Sequence, residues 1–470
     1  MAYIRVFNHY VHTPYLLLSL VEALILVGSL YAGISIRLPE EPIDLSNLGD
    51  PFYAKATLFA FIMLSCTLAI GVYQSRFREG FSGVAIRTVV AYCLLGASAL
   101  TVIYYVIPPL YVGRGVLSIS IFVSIFFVLL LRFGFFSLVD ITRLQRRVLI
   151  LGSGKKAQDT LELLEASIEK GGFQIVGCLP CGPGEIQVSK DKVIQPMGSI
   201  YKVVESLAID EVLVALDERR RSEGGEFPLD DLLDCKLTGV KVTDAIEFHE
   251  RETGKIELTL LQPSWMVFSS GFKFSQIRDF FKRIFDITIC LILLVFALPA
   301  MLLTALLVYL DDGAPVLFKQ VRVGLNGKEF TLYKFRSMRK DAEKDGAQWA
   351  KKNDSRVTRV GNFIRNTRLD ELPQIYNVLR GDMSFVGPRP ERPEFVGDLA
   401  SQIPYFEERH RVKPGLMGWA QLKYPYGASV EDAAQKLRYD LYYTKNHSLI
   451  LDILIVIQTV EVVLLGKGVR

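Results

Sequence analysis

The chain has 470 residues, half of them hydrophobic, and a positive mean hydropathy, a balance too apolar for an ordinary soluble enzyme of this length. Its net charge is only +4, evenly spread and without a basic stripe interleaved with aromatics, which excludes a nucleic-acid-binding protein. Six cysteines, three of them inside apolar runs, form no disulfide framework, and five scattered histidines offer no paired zinc ligands.

Four apolar runs, Tyr15–Ile36, Ala54–Tyr73, Thr88–Ile107 and Val116–Phe136, each approach the ~20 residues that cross a bilayer. They predict a transmembrane four-helix bundle over residues 1–143. An acidic loop and more spans follow the first run, not a small-residue cleavage site, so it is expected to be retained. Arg76, Arg78 and Arg87 lie between the second and third runs, and Arg143, Arg146 and Arg147 follow the fourth. Positive charge on those sides places both ends of the bundle in the cytoplasm. Glu22, inside the first run, is open to three readings: a functional group, a packing contact, or a place near the membrane edge.

From Arg147 the stretch RVLILGSGKKAQDTLELLEAS reads as strand, glycine turn and helix, and GFQIVGCL and EVLVAL read as further short strands. This predicts a Rossmann-like α/β module over 144–262. Gly152, Gly154 and Ala157 approximate a dinucleotide fingerprint, but no acidic residue ends GFQIVGCL to hold a ribose. A structural turn and a ligand site both stay open. Cys178 and Cys181 have redox spacing, yet they follow a strand and have no second pair to complete a zinc site. Glu218–Glu226 reads as a solvated loop.

After a linker at 263–280, the run Ile284–Tyr309 is long enough to span a membrane and is interrupted by Pro299. Arg278, Lys282 and Arg283 precede it and Lys319 and Arg322 follow it, so both flanks carry the charge of the cytoplasmic side. A re-entrant hairpin over 284–309 satisfies both flanks; a kinked spanning helix is the alternative. In YKFRSM, Lys334 and Arg336 alternate with apolar residues as on a strand with one ligand-facing side. Further on, Leu372, Ile375, Tyr376 and Leu379 have helical spacing, which puts Asp370 and Glu371 in the first turn, where Pro373 is tolerated. Acidic residues there complement the helix dipole, while the same helix end attracts phosphate. Arg365, Arg368, Arg380, Arg389, Arg411 and Lys413 bracket the dyad, and repeated guanidinium forks favour phosphate recognition. Adjacent carboxylates repel, and a divalent cation, an arginine or a shared proton relieves them. Mg²⁺ suits such a site, and one carboxylate can then serve as nucleophile.

RLDELPQIYNVLRGDMSFVGPRPE (Arg368–Glu391), with YKFRSM, VKPGLMGWAQ (Val412–Gln421) and YDLYYTKNHSLILDI (Tyr439–Ile453), closely resembles the bacterial sugar transferases known as polyprenyl-phosphate hexose-1-phosphate transferases, or monotopic phosphoglycosyl transferases. The resemblance runs from about Phe281 to the C-terminus and implies a catalytic domain over 281–470. The bundle and the Rossmann-like, CoA-binding-like module before it look like the large members that initiate exopolysaccharide or O-antigen assembly. The resemblance implies an α/β-type catalytic domain on the cytoplasmic face of the bacterial inner membrane. There it would transfer a sugar 1-phosphate from a UDP-sugar to undecaprenyl phosphate and release UMP, by a ping-pong route through a phosphosugar-aspartate. It implies Asp370 as nucleophile, Glu371 as support for Mg²⁺, and Lys334, Arg365 and Arg389 on the substrate phosphates. It also implies a membrane helix broken at a Ser-Pro pair, and a homodimer, for which Gly28, Gly33 and Ala97 are small enough to pack helices. Here the pair is Leu298-Pro299, so one hydrogen bond to a freed carbonyl is missing. The segment Leu449–Leu465 is expected along the membrane interface or as an ordinary packed helix.

Two other classes compete. A membrane-bound NAD-dependent nucleotide-sugar dehydratase would need a complete glycine fingerprint and a Tyr-x-x-x-Lys pair, and neither is found. A non-enzymatic scaffold or sensor of polysaccharide export would use the Rossmann-like module for sensing.

Overall fold

The computed structural model describes residues 3–6, 9–39, 51–70, 80–138, 145–168, 173–182, 186–195, 198–218, 227–261, 265–266, 269, 271–272, 275–342, 354–425, 427 and 429–464. Arg76, Arg78, Arg143 and most of the charged loop, from Arg219 to Glu226, lie outside them. The chain falls into two compact units, Met1–Thr253 and Gly254–Arg470.

After a short antiparallel hairpin, Tyr3–Val6 with His9–His12, the first unit runs through apolar helices α1 (Thr13–Arg37), α2 (Pro51–Ala69), α3 (Gly80–Val90), α4 (Ala97–Val106) and α5 (Arg114–Leu138). A π-helical turn, Ala91–Gly96, carries α3 into α4, so these two share the third apolar run. Leu16–Arg37, Pro51–Ala69, Val84–Val106 and Arg114–Phe135 are each long and apolar enough to cross a bilayer, as is Gln276–Asp312 in the second unit. This is a membrane protein. Leu26, Leu30, Phe59, Met63, Tyr92, Leu100 and Val128 share one buried cluster. Leu24, Phe61, Tyr105 and Phe122 stay exposed, an apolar outer surface that suits lipid.

Glu22 is fully buried and grips Arg132 of α5 with both oxygens, at 2.6 and 2.8 Å, while Arg132 also donates to Thr88 of α3. The packing reading of Glu22 therefore holds, since its carboxylate is consumed by this pair. Gly33 is likewise occupied within the chain, because a methyl there would meet Ser120 of α5; around Gly28 the space is open.

The α/β part of this unit carries β1 (Arg146–Leu151), α6 (Lys155–Ile168), β2 (Phe173–Leu179), α7 (Ile200–Ser206), β3 (Glu211–Val214), α8 (Leu229–Leu237), β4 (Lys241–Asp244) and α9 (Ala245–Thr253). The four strands form one parallel sheet in the order β2-β1-β3-β4. Helices α6 and α9 pack one cluster and α7 and α8 another, which makes a doubly wound module and explains why β1, β2 and β3 read as near-continuous apolar runs. Asp217, just past β3, fills the glycine turn: Lys156 N donates to its Oδ1 at 2.6 Å, and a methyl at Gly154 would overlap Oδ2. Cys178 is part of the core, and burial pushes its thiol up to about 11, far from the reactive range of redox cysteines.

The first long element of the second unit is α10 (Gln276–Asp312), one 37-residue helix with Pro299 inside it. Pro299 has no N–H to offer the carbonyl of Val295. A hairpin follows, β5 (Leu317–Val323) antiparallel to β6 (Glu329–Phe335). Then come α11 (Arg359–Asn366), α12 (Gln374–Arg380), β7 (Ser384–Val386), α13 (Pro393–Gln402), β8 (Gly415–Met417), α14 (Trp419–Lys423), α15 (Val430–Asn446) and α16 (Leu449–Leu464). Strands β7 and β8 pair in parallel, so the described sheet content of this unit is two small two-stranded sheets among helices.

Ile375, Val378, Phe385, Leu399, Phe406, Leu441, Tyr443, Leu451 and Ile455 form its core. Helix α16 contributes Leu451 and Ile455 to that core, and its Asp452 is buried, accepting from Tyr443 and Lys282 at 2.7 Å each. One face of this segment is therefore packed into the core, while Ile453 stays exposed.

Both ends of α10 are fastened to this same unit. Near its start, Arg283 donates to the carbonyls of Val378 and Leu379, and Asp286 accepts from Ser384 Oγ and Phe385 N at 3.0 and 3.1 Å. Near its end, Val308 packs with Phe335 and Ile364, and Arg336 donates to the carbonyls of Asp312, Gly313 and Pro315. Between these anchors Ile292, Val295, Phe296, Leu302 and Leu303 are exposed.

Candidate functional site

The dyad sits one turn earlier than its spacing predicts. Leu369–Glu371 form a 3₁₀ turn of their own, Pro373 precedes α12, and Arg368 enters the turn with left-handed backbone (φ 61°), an uncommon state for a residue with a Cβ. Ile375 is buried as the helical pattern requires, whereas Tyr376 stays exposed and meets Tyr333 edge to face at 5.4 Å. The sharp turn places the buried Asp370 and its neighbour Glu371 side by side in the wall of a cavity of about 1260 Å³.

Glu371 is the hub. Arg389 Nη2 donates to its Oε1 at 2.8 Å, and Lys334 Nζ and Arg368 Nη1 stand 3.7 Å from the same oxygen. Burial opposes its charge, but Arg389 and Lys334 outweigh that cost and hold the carboxyl far below the usual range, so it is ionised at any working pH. Asp370 goes the other way. Burial, then the Glu371 charge, raise its pKa against the pull of Lys334, Arg389 and Arg365, and its Oδ1 is buried without a hydrogen-bond partner. One carboxylate is thus saturated with cations while the other keeps an oxygen uncommitted. Lys334 is pushed down to about 8 by burial, with Glu371 restraining the fall.

Lys334, Arg365, Arg368 and Arg389 therefore come together with the dyad along this one cavity. Arg380 and Arg411 do not line it and pair instead with Asp382 and Glu408, and Lys413 is likewise absent from the lining. Arg336 reaches the cavity wall, yet its guanidinium is spent on the carbonyls at the end of α10, so only Lys334 of the YKFRSM pair faces the dyad.

Two contributors escape a reading by local pattern. Arg409 donates to the backbone carbonyl of Arg389 at 2.9 Å and pairs with Asp440 at 2.8 Å, which fixes the Pro-Arg-Pro turn from behind. Asp440 is fully enclosed, and burial raises its carboxyl to about 6 even beside Arg409. A carboxylate on the stripe shared with Leu437, Leu441 and Thr444 is the visible hint, since a buried stripe tolerates charge only when it is paired.

The arrangement suits phosphoryl transfer: a cation-lined cavity for phosphates, one permanently ionised carboxylate, and a second with a free oxygen. Among the described residues no three His, Cys, Asp or Glu side chains gather as a metal cage. A hard cation that shares one or two carboxylates with substrate phosphates needs no cage, and the permanently ionised carboxylate of Glu371 fits such an ion.

Comparison with known proteins agrees with this chemistry. The model of the bacterial sugar transferase family matches residues 277–466. The chain is 43% identical over 236 residues to the UDP-N-acetylgalactosamine-undecaprenyl-phosphate N-acetylgalactosaminephosphotransferase of Aeromonas hydrophila, covering 50% of this chain and 55% of that protein. It is 32% identical over 333 residues to the undecaprenyl-phosphate glucose phosphotransferase of Komagataeibacter xylinus, covering 68% and 59% respectively. The chain thus spans little more than half the length of either. With the exopolysaccharide production protein PSS of Rhizobium leguminosarum bv. phaseoli it shares 43% identity over 194 residues, 40% of this chain and 97% of that protein.

Proposed function

We propose, since this chain belongs to the bacterial sugar transferase family, that it transfers a sugar 1-phosphate from a UDP-sugar to undecaprenyl phosphate and releases UMP. The observation that carries this reading is the split dyad, in which Glu371 is locked by Arg389, Lys334 and Arg368 while buried Asp370 keeps an unpartnered oxygen. That oxygen attacks the phosphorus bearing the sugar, the bond from phosphorus to the UMP oxygen breaks, and the sugar phosphate stays on Asp370. A phosphate oxygen of the lipid then attacks the same phosphorus and displaces the carboxylate, which leaves a polyprenyl diphosphate sugar and regenerates Asp370. Arg389, Lys334 and Arg365 bind the phosphate oxygens and lower the cost of an anion approaching an anion. Glu371 would hold Mg²⁺, which supplies further neutralisation of phosphate charge when bound.

The reading places the second unit on the cytoplasmic face of the inner membrane, with α10 as a re-entrant hairpin about Pro299. Anchorage of both helix ends to one unit, with the exposed apolar stretch between them, supports it. A homodimer belongs to the same proposal, and light scattering in detergent tests it. The carboxylate of Asp217 in the glycine turn weighs against an NAD-dependent dehydratase, because it occupies the place of a dinucleotide phosphate.

The test is UMP release from a panel of UDP-sugars with Mg²⁺ and undecaprenyl phosphate. Wild type is expected to release UMP and Asp370→Asn to be slower by at least about 10³-fold. Equal release by the two proteins, or none from folded wild type with any donor, sinks the proposal.

A further inference from the structure

We infer that Gln421 reads the nucleobase of the donor, its carboxamide pairing with the imide edge of uracil. The inference rests on the reading of the donor as a UDP-sugar and assigns the part of the cavity that the phosphate clamp leaves unused.

In an in-line displacement the leaving group points away from the nucleophile, so UMP extends from the reacting phosphorus toward a wall other than the one that carries Asp370. The dyad and Lys334 stand on the 3₁₀ turn and β6. The cavity is also walled by Gly418, Gln421 and Tyr424 at α14 and by Lys436 on α15. Helix α14 is drawn close to the clamp: a methyl at Gly418 would lie 2.5 Å from the Gly387 carbonyl oxygen and 3.1 Å from Gln421 Oε1. The carboxamide therefore sits beside Gly387, two residues before Arg389, a stretch of chain that reaches at most ~7 Å. A nucleotide held by its phosphates at Arg389 has its base within range of this wall.

Gln421 Oε1 is buried and accepts no hydrogen bond. A buried acceptor left empty is costly, and a ligand that supplies a donor recovers that cost. Uracil N3–H is such a donor, flanked by carbonyls that can accept from Nε2. The neighbouring Tyr424 has its hydroxyl tied to Asp432 at 3.0 Å, which holds the phenol ring in the cavity wall as a flat apolar surface for the base.

The test uses the full-length protein and compares inhibition by UMP with inhibition by 3-methyl-UMP, which lacks only the N3 proton. Wild type is expected to bind UMP at least about 10-fold more tightly than the methylated form. Gln421→Leu should weaken UMP by about 10- to 100-fold and erase the difference. Transfer from a preformed phosphosugar enzyme to the lipid should be unchanged in that variant, because UMP has already left. Gln421→Glu retains an acceptor for N3–H and should keep part of the discrimination. Equal inhibition of wild type by both nucleotides overturns the assignment even if Gln421→Leu fails to fold, and so does undiminished discrimination in folded Gln421→Leu. Wild type that releases no UMP from any UDP-sugar instead removes the reaction on which the inference rests.

Discussion

Two neighbouring carboxylates with opposite pKa displacements set the pH behaviour expected of this site. Asp370 is raised by burial and by Glu371, so its nucleophilic anion forms at higher pH than an ordinary aspartate's, and the rate should climb with pH as it ionises. Lys334 is lowered to about 8, so it is a cation below that pH and loses its hold on phosphate above it. A plot of kcat/KM for the donor should therefore fall on the alkaline side near pH 8. In Lys334→Arg the guanidinium keeps its charge, and the alkaline fall should move up by at least about one pH unit. An alkaline limb that stays in place would assign it to another group. Much of this was readable from residue type alone: paired carboxylates amid arginines are conspicuous in a string of letters. The division of labour between them was not, because it depends on Arg389 and Lys334 arriving from separate elements. Arg409 and Asp440 act through the Arg389 backbone, a contact that no local pattern encodes.

Helices were legible wherever one period dominated. The four apolar runs of the first unit and strands β1, β2 and β3 of the α/β module follow directly from hydrophobic pattern, whereas β4, the short and mostly polar KVTD, does not. The turn around the dyad shows the limit, since apolar spacing continued through Leu372 while Pro373 and the left-handed Arg368 broke the backbone into a 3₁₀ turn and a separate helix.

Helix α10 illustrates another limit, because periodicity marks an apolar stretch without saying whether it crosses or returns. The hairpin reading predicts that single cysteines placed at Gln276 and Lys319 are labelled from the same side of inverted vesicles; labelling from opposite sides would make α10 a spanning helix. Buried charge is a further matter at this scale. Removing one partner of the Arg132–Glu22 pair leaves an uncompensated charge in an apolar setting, so Glu22→Ala should cost about 3–5 kcal/mol of stability. The double change Glu22→Leu with Arg132→Met should recover most of it. Thermal unfolding of the full chain in detergent decides between that outcome and a pair that contributes nothing.

The chain as a whole joins two units, and the matched family region lies within the second. The Rhizobium relative is covered almost entirely by an alignment of 194 residues, so that protein is little longer than the aligned stretch. Residues 254–470 expressed alone in membranes should therefore keep UMP release to within about 10-fold of the full chain, because among the described residues the cations around the dyad belong to that unit. Loss of release by folded, membrane-bound 254–470 would make the first unit part of the catalytic machinery.

The pairing of Arg132 with Glu22 also bears on how the first unit responds to an energised membrane. A lone charge moved through the transmembrane field exchanges ~2.3 kcal/mol per 100 mV, which is how voltage sensors are driven. Here the two opposite charges sit 2.6 Å apart and would travel together, so their combined displacement carries no net gating charge. Swings in membrane potential leave the energy of this pair almost unchanged.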